Sequence, residues 1–508
     1  MIGNPHTGTR PGQPVVTRLA DLVDWLGTLT PVRGDGDRDV AVTGISLSTQ
    51  RILPGDLYAA LPGTRAHGAD FADQALAAGA VAVLTDADGA DRLPPGTPVL
   101  VVEHPRAVLG RVAAHLYGEP TADLTVIGVT GTQGKTTTTR LLEAGLEQAG
   151  VPAAVVGTVG TRIHGVDVKT SLTTPEAPDL HGLFAVMREQ GVVACAMEVS
   201  SHALVMGRVD GVVFDVATFL NLGRDHLDFH PDVEDYFAAK ASLFTPERAR
   251  LGLTNVDDEH GRLLLDRAGI PMRTFSSEGR DADWRAVDVE FAGDGARFTV
   301  TGPEGLRVDA GVPVPGAFNV SNALAAIASA ALAGLDPHQV ARGIAAGGGV
   351  PGRLERVDAG QDFTVVVDYA HKPDAVEAVL ATLRPLTEGQ VVVVLGAGGD
   401  RDPGKRPIMG EIAARLADVV VVTDDNPRTE DPAAIRAAVV AGTGAGAAEV
   451  VEIGDRRAAI RDAVRRARPG DVVLIAGKGH ETGQEVHGEV HPFDDRVVAA
   501  EEIAQVSR

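Results

Sequence analysis

LTVIGVTGTQGKTTTTRLLEAGL, residues 124–146, is the stretch from which the rest of the chain can be read. Leu124 to Val129 is a short apolar run of strand length and β-branched character. Gly131-Thr132-Gln133-Gly134 is a glycine-rich turn, and Lys135-Thr136 opens a segment with Leu141, Leu142 and Leu146 at helical spacing. Strand, glycine loop, Lys-Thr and helix together cradle phosphate. Loop N–H groups point inward, the helix N-terminus adds partial positive charge, and Lys135 adds a full one. Thr136 and its neighbour Thr137 follow, and the Thr136 hydroxyl falls where a phosphate-bound Mg²⁺ sits. The strict P-loop pattern is not met, because Val129 occupies the position of its first glycine. A ligand-free strand-to-helix turn is the bland alternative. Against it, a lysine at the buried start of a helix needs an anion to offset its desolvation.

The chain has 508 residues, too many for one core, and three domains are expected. With 44% hydrophobic and 23% charged residues it reads as a soluble globular protein. Only 4% is aromatic, so Ala, Val and Leu must fill the cores. A net charge of −23 repels nucleic acid and anionic membranes, so a phosphate ligand must be met by local cations. Cys195 is the single cysteine, which excludes an internal disulfide and suits a reducing compartment. No run of 18 apolar residues and no signal pattern is present, so a cytoplasmic protein is expected.

Residues 1 to about 15 are rich in Gly, Pro and Thr and read as a disordered tail. A small α/β domain is expected over 1–104 with that tail included, and a central domain over 105–349, where strand-like VVACAMEV and GVVFDVATFL alternate with helical segments. A β-rich insert runs from about 284 to 315, and a helix follows in the second half of GAFNVSNALAAIASAALAGL. From 350 to 508 the order VVVVLG, helix, DVVVVTD, helix, EVVEIG, helix, DVVLIAG predicts a doubly wound domain of Rossmann type. The fold class is therefore α/β throughout, with a mostly parallel sheet in the central domain.

Glu198, His226 and Lys240 form a second candidate set. Singly, a strand-end Glu, a loop His and a helical Lys are all commonly just solvated. Together they follow strands or start helices at the carboxyl side of one predicted sheet, where ligands bind in open α/β folds. EVSSHAL, NLGRDHLDFH and YFAAKASLF, in this order after GTQGKTT, resemble the central domain of the Mur ligases. The glycine loop is similar in that family and in the folylpolyglutamate synthetases, both of which use ATP to join an amino acid to a carboxylate. The resemblance implies ATP contacts from Gly131 to Thr137 and two Mg²⁺ ions. Thr136 is the implied ligand at the phosphates. Glu198, His226 and Lys240 are the implied ligands of the second ion, with Lys240 as a CO₂-derived carbamate. Crowded phosphate and carboxylate charges must be neutralised before a carboxylate can attack phosphorus.

PGRLERV (351–357) and VVVDYAHKPD (365–374) resemble the segments that close over the nucleotide, which implies roles for Arg353 and Asp368, and for Asn255 at the adenine. VVVVLGAGGDRDPGKRP carries Gly396 and Gly398 of a dinucleotide fingerprint, but Arg401 takes the third glycine position. Instead GAGGDRD, DNPR (425–428) and GKGHE (477–481) resemble the diaminopimelate-adding Mur ligases. The implied amino-acid contacts are Arg401, Asp425, Asn426, Pro427, Arg428, Gly477 and Glu481. Arg428 would pair with the distal carboxylate that lysine lacks, and Glu481 with an ammonium. Leu47, Thr49 and Thr64-Arg65-Ala66 would contact uridine, while Thr173, Thr174, Ser200 and Arg208 would hold the rest of the UDP-sugar-peptide. Two departures stand out: Ser48-Thr49-Gln50 where the family often has Asp-Ser-Arg, and Met206 where Gln is frequent.

The implied activity is ATP-dependent addition of diaminopimelate to the D-Glu γ-carboxylate of UDP-MurNAc-L-Ala-D-Glu, in peptidoglycan synthesis, by a monomer with small-molecule partners only. A folylpolyglutamate synthetase-like ligase is the alternative within the class. A non-catalytic nucleotide switch is the alternative outside it, but a switch has no use for Glu198, His226 and Lys240 beside an amino-acid site.

Overall fold

A computed structural model describes residues 7–506 apart from 171, 227–228 and 293–294. The chain divides into two compact units. One comprises Met1–Leu222, Asp232–Phe275 and Ala325–Val340, and the other Gly223–Pro231, Ser276–Leu324 and Ala341–Arg508.

Besides a short antiparallel pair, Thr17–Arg18 with Ala41–Val42, the first unit holds two main sheets. In the smaller, strands Gly44–Ser46, Asp56–Ala59, Ala82–Thr85 and Val99–Val101 are parallel neighbours, and Arg33–Asp35 runs antiparallel at the edge. Alternating residues serve its two faces. Leu57, Leu84 and Leu100 pack with Leu19, Leu22 and Leu26 and with Leu109, Val112 and Leu116. Tyr58, Val83 and Val99 pack with Ala69 and Ala75 on the other side. Helix Pro105–Leu116 thus belongs to this core, and a boundary at 104 cuts through it. Pro105 reads as a fresh start because proline favours the first helical position, but the apolar face of the helix points back to the preceding sheet.

In the larger sheet, parallel strands lie in the order Ala153–Val156, Ala194–Glu198, Thr125–Thr130, Phe214–Phe219, Ala249–Asn255 and Met272–Ser276. The strand that feeds the glycine loop is central, so its neighbours supply residues from both sides at the carboxyl edge.

Residues 7–15 are not a loose tail, which corrects the reading of that segment; residues 1–6 lie outside the described residues. Thr7–Thr9 form a 3₁₀ turn with Thr9 buried. Arg10 donates to Asp56 at 2.9 Å and to the Tyr117 hydroxyl, while the amides of Gly12 and Gln13 donate to the Glu189 carboxylate at 2.8 and 2.7 Å. Composition hid this because three polar anchors, not apolar area, hold the segment down.

The second unit contains the expected β-rich segment as an antiparallel meander, Trp284–Ala292, Gly295–Thr301 and Arg307–Val312. It clusters with residues 341–508. The helix that follows begins at Ala317, earlier than expected. The main sheet orders Thr364–Asp368, Val472–Ala476, Val391–Leu395, Val419–Val422 and Glu449–Glu452, all parallel, with Glu355–Val357 antiparallel at the edge. Val365, Val367, Val392, Val394, Val473 and Ile475 face helices Arg456–Arg466 and Asp495–Val506, while Val366, Val393, Val420 and Leu474 are buried on the other face. The last parallel strand in sequence lies between the first and second, which creates a crevice at the carboxyl ends.

The Arg10–Asp56 pair is almost entirely buried, at 10% and 3% side-chain exposure. Arg10→Met should lower the first unit's stability by about 3 kcal/mol or more, because it leaves a buried carboxylate unpaired. Denaturant unfolding checks this, and an unchanged midpoint would mean that the segment adds no stability.

Candidate active site

Strand Thr125–Thr130 ends in the glycine loop, and helix Lys135–Gln148 starts at the lysine, as the sequence predicts. Gly131 and Gly134 both have positive φ, 154° and 85°. A Cβ on Gly131 would lie 3.0 Å from Leu220 Cβ, so the loop cannot carry a side chain there without displacing its neighbour. Lys135 Nζ donates to Gly131 O at 2.7 Å and Thr132 O at 3.2 Å. Lys240, only 1% exposed on helix Val233–Ala241, sends its Nζ to the same Gly131 O at 3.0 Å. It also lies 4.5 Å from the Tyr236 ring centroid. Two ammonium groups on one carbonyl repel each other, and an anion placed there is stabilised by both.

The loop amides depart from expectation. Thr132 N and Gln133 N donate to Asn221 Oδ1 at 3.1 and 2.9 Å, and Asn221 Nδ2 donates to Gln133 O at 3.2 Å. These amides hold the loop open rather than point at a ligand, and an anion would meet the first-turn amides of the helix instead. Asn221 was not singled out from the sequence. Its signal was its place at the end of strand Phe214–Phe219, the neighbour of the loop strand.

Glu198 closes strand Ala194–Glu198 beside the loop strand and is 1% exposed. Its carboxylate accepts from Thr158 N at 2.8 Å and Thr158 Oγ1 at 3.1 Å. Thr158 Oγ1 lies 3.1 Å from Thr173 Oγ1, and Thr174 Oγ1 donates to Glu198 O at 2.8 Å. Glu198 is therefore wired to the Thr173–Thr174 segment through Thr158, a residue the sequence reading missed. Gly157 makes room, since a Cβ there would lie 2.3 Å from Glu198 Oε1. His226 falls in the 223–231 segment of the second unit, at φ 54°, with Nε2 3.0 Å from Asp225 Oδ2. Asn255 ends strand Ala249–Asn255 and accepts from Asp257 N at 3.0 Å. Among the described residues no three His, Cys, Asp or Glu side chains gather as a metal cluster.

Leu47 and Thr49 follow strand Gly44–Ser46, and exposed Thr64-Arg65-Ala66 follow the adjacent strand Asp56–Ala59, so both predicted uridine segments share one sheet edge. Ser200 caps helix Ser201–Val205, accepting from Ala203 N at 3.2 Å. Arg208 Nε donates to Glu176 Oε1 at 2.8 Å and Arg106 Nη1 to Glu176 Oε2 at 2.9 Å, so two guanidinium groups share one carboxylate.

In the second unit four of the five singled-out C-terminal segments lie at the carboxyl ends of strands Thr364–Asp368, Val391–Leu395, Val419–Val422 and Val472–Ala476, and the fifth, at 351–357, runs into the edge strand Glu355–Val357. Asp368 accepts from Leu354 N at 2.7 Å and Ala370 N at 2.8 Å, and burial raises its carboxyl against the opposing Arg353 charge. The Arg353 guanidinium lies 4.5 Å over the Tyr369 ring. Burial, with Glu481 nearby, pushes the Tyr369 phenol up to about 12. Arg428 sits at φ 53°, donates to Gly399 O at 2.7 Å and lies 3.3 Å from Glu485. Such a strained backbone persists only where surrounding contacts impose it. Asn426 Nδ2 donates to Glu481 Oε2 at 2.9 Å. Gly477, at φ 115°, lies so near Asp425 that a Cβ would be 2.4 Å from Oδ2, and a Cβ on Gly399 would lie 1.9 Å from Pro427 O. Arg401 is exposed, and its guanidinium donates to the Asp400 carbonyl at 3.5 Å rather than to the residues of this cluster. Lys478, fully buried, donates to Asn426 Oδ1 and Glu481 Oε2.

A glycine loop opening a helix, with a buried carboxylate at the next strand end, is the geometry of an α/β phosphate-binding protein. Three family models match the chain: Mur ligase family, catalytic domain, over 41–117; Mur ligase middle domain, over 129–330; and Mur ligase, glutamate ligase domain, over 352–479. A UDP-N-acetylmuramoyl-L-alanyl-D-glutamate--2,6-diaminopimelate ligase of Streptomyces avermitilis is 57% identical over 504 residues, 98% of each chain. A UDP-N-acetylmuramyl-tripeptide synthetase of Leifsonia xyli subsp. xyli is 47% identical over 504 residues, again 98% of each. A solved structure of a UDP-N-acetylmuramoyl-L-alanyl-D-glutamate--2,6-diaminopimelate ligase superposes with a TM-score of 0.68 at 33% identity, over 97% of this chain and 100% of its own. The chain belongs to the Mur ligase family, whose resemblance was carried by the glycine loop and the motifs after it.

Asn221→Ala should weaken ADP binding about tenfold or more, since two loop amides lose their acceptor. Asn221→Asp, which keeps the acceptor, should lose less. Calorimetric titration checks this, and equal affinity in the alanine variant would remove Asn221 from the site.

Proposed function

We propose that the protein is a cytoplasmic, ATP-dependent ligase that adds diaminopimelate to the D-Glu γ-carboxylate of UDP-MurNAc-L-Ala-D-Glu in peptidoglycan synthesis, acting as a monomer. The observation that carries the choice of amino acid is Arg428. Its guanidinium stands at a strand end in the same crevice as Asp425, Asn426 and Glu481, a set suited to a ligand with a distal carboxylate and an ammonium. The relatives' names support the same reading, and the match to a distinct N-terminal model over 41–117 favours a UDP-sugar substrate over a folate.

ATP transfers its γ-phosphoryl group to the γ-carboxylate, and the acyl phosphate forms as ADP leaves. The diaminopimelate amine attacks the acyl carbon, and the tetrahedral intermediate expels inorganic phosphate to leave the amide. Lys135 and the first-turn amides of its helix stabilise charge on the transferring phosphoryl group. Asn221 keeps the loop open. Arg353 and Asp368 position the nucleotide, Asn255 meets the adenine, and the segments at 47–49, 64–66, 173–174, 200 and 208 hold the UDP-sugar-peptide. Arg401 and Gly477 border the amino acid, and Arg401 has to swing in from its exposed position to reach it.

The donor set fits Mg²⁺ on one condition. Glu198 offers a carboxylate and Thr136 a hydroxyl, and Thr130 Oγ1, beside the loop, is buried with no hydrogen-bond partner among the described residues. Lys240 as an ammonium is a donor and cannot be a ligand; as a carbamate it offers oxygens suited to a hard cation. Within the first unit Thr136 would hold one ion, and Glu198 and carbamylated Lys240 would contribute to a second. The ions would supply charge neutralisation of the phosphates.

Phosphate release with a panel of diamino acids tests the proposal. Diaminopimelate should support it and lysine only poorly, because lysine leaves Arg428 without its carboxylate. Arg428→Ala should raise the KM for diaminopimelate far more than that for ATP, by a loss on the order of 2–5 kcal/mol. Comparable kcat/KM for lysine and diaminopimelate would sink the assignment. Lys240→Ala should be nearly inactive and partly restored by acetate or formate; full activity without either would refute the carbamate.

A further inference from the structure

Lys478 is a lysine with no exposed surface, and no step above uses it. It stands in the loop after strand Val472–Ala476, in the second unit. Its Nζ donates to Asn426 Oδ1 at 3.0 Å and Glu481 Oε2 at 3.1 Å, and Asn426 Nδ2 completes a triangle with Glu481 Oε2 at 2.9 Å. Asn426 Oδ1 accepts once more, from Glu485 N at 3.0 Å. The carboxamide is thereby fixed in orientation, while Glu481 keeps 32% of its side chain exposed and so still faces incoming ligand. Burying an ammonium is costly, and a fold keeps one where its partners need the charge. A second buried cation beside these residues, Arg456, is paired with Asp495 at 2.7 Å, both side chains fully buried. Lys478 is thus the cation in direct contact with Glu481, while the charge of Arg456 bears on Asp425 and Glu481 without a hydrogen bond to either among the described residues.

We propose that Lys478 is a positioning and specificity-determining residue for the amino-acid substrate: it locks Asn426 and Glu481, from two different strand ends, into one rigid ligand pair and cancels one of the two carboxylate charges beside them. This rests on the reading of that crevice as the amino-acid site. The consequence is electrostatic. With Lys478 the crevice accepts an ammonium while tolerating the substrate's carboxylates. Without it an uncompensated carboxylate remains, which attracts a purely cationic side chain and repels an anionic one.

The experiment uses the full chain with ATP, Mg²⁺ and UDP-MurNAc-L-Ala-D-Glu, and measures amino-acid-dependent phosphate release for the wild type, Lys478→Met and Lys478→Arg. In Lys478→Met the KM for diaminopimelate should rise about tenfold or more. The KM values for ATP and the UDP-substrate should stay within about twofold, and the lysine-to-diaminopimelate ratio of kcat/KM should rise. Lys478→Arg, which keeps the charge, should recover most of the diaminopimelate affinity. An unchanged KM in Lys478→Met, an equal rise for all three substrates, or an unchanged selectivity ratio would overturn the proposal. If Lys478→Met does not fold, a folded Lys478→Arg with wild-type selectivity supports the charge role, and one with lost selectivity overturns it. If the wild type releases phosphate with another amino acid but not with diaminopimelate, the proposed substrate fails while Lys478 is judged by the KM for that amino acid.

Discussion

Two lysines, from helices about a hundred residues apart in sequence, deliver their ammonium groups to one oxygen, the Gly131 carbonyl. Each is favourable alone, as a charge-assisted hydrogen bond to a backbone acceptor. Together they hold two like charges at the mouth of a helix whose N-terminus is already positive. That concentration of charge explains much of the first unit. The loop needs glycine at 131 to leave the carbonyl in reach of both. It needs the Asn221 carboxamide to hold the Thr132 and Gln133 amides, so that the loop does not collapse onto the lysines. In a chain with a net charge of −23, Lys135 and the helix N-terminus supply local positive charge for phosphate, and Lys240 adds to it only as long as it is an unmodified ammonium.

Glu198 balances this arrangement. A carboxylate at 1% exposure next to the loop strand would be destabilising unless satisfied, and Thr158 satisfies it through both backbone and hydroxyl. Because Thr158 also reaches Thr173, and Thr174 reaches the Glu198 backbone, the buried charge is coupled to a loop on the same sheet edge. A ligand that moves one member of this network therefore moves the others.

Under the proposed function the second unit has a different task, the recognition of a small ligand bearing both charge signs. Its sheet places four loops at one edge, and each contributes charged or hydrogen-bonding groups already partnered by a neighbour: Arg428 with Gly399 and Glu485, Asn426 with Glu481 and Lys478, and Asp368 with the amides of Leu354 and Ala370. Partnering fixes geometry before a ligand arrives and reduces the ordering cost of binding. The left-handed backbone at Arg428 belongs to the same logic, since a strained residue is kept where its side chain must point one way.

Periodicity and turn chemistry were enough to expose the phosphate loop, the doubly wound C-terminal sheet and the β-rich segment before it. These are local signals: β-branched runs, glycine turns and prolines at helix starts are set by backbone sterics within a few residues. Family motifs named Glu198, Lys240, Asp425 and Arg428 for the same reason, as short contiguous strings. Tertiary structure alone decided what these strings touch. That Asn221 takes the loop amides, that Thr158 holds Glu198 and that Lys478 locks Asn426 to Glu481 all depend on pairings between strands tens of residues apart. It also decided that helix Pro105–Leu116 joins the N-terminal core and that Arg10 anchors a Gly- and Pro-rich segment to Asp56. The sequence determines which elements form, because their preferences are local. Which face meets which partner depends on burying apolar area and pairing charge across the whole fold, and no local signal carries that information.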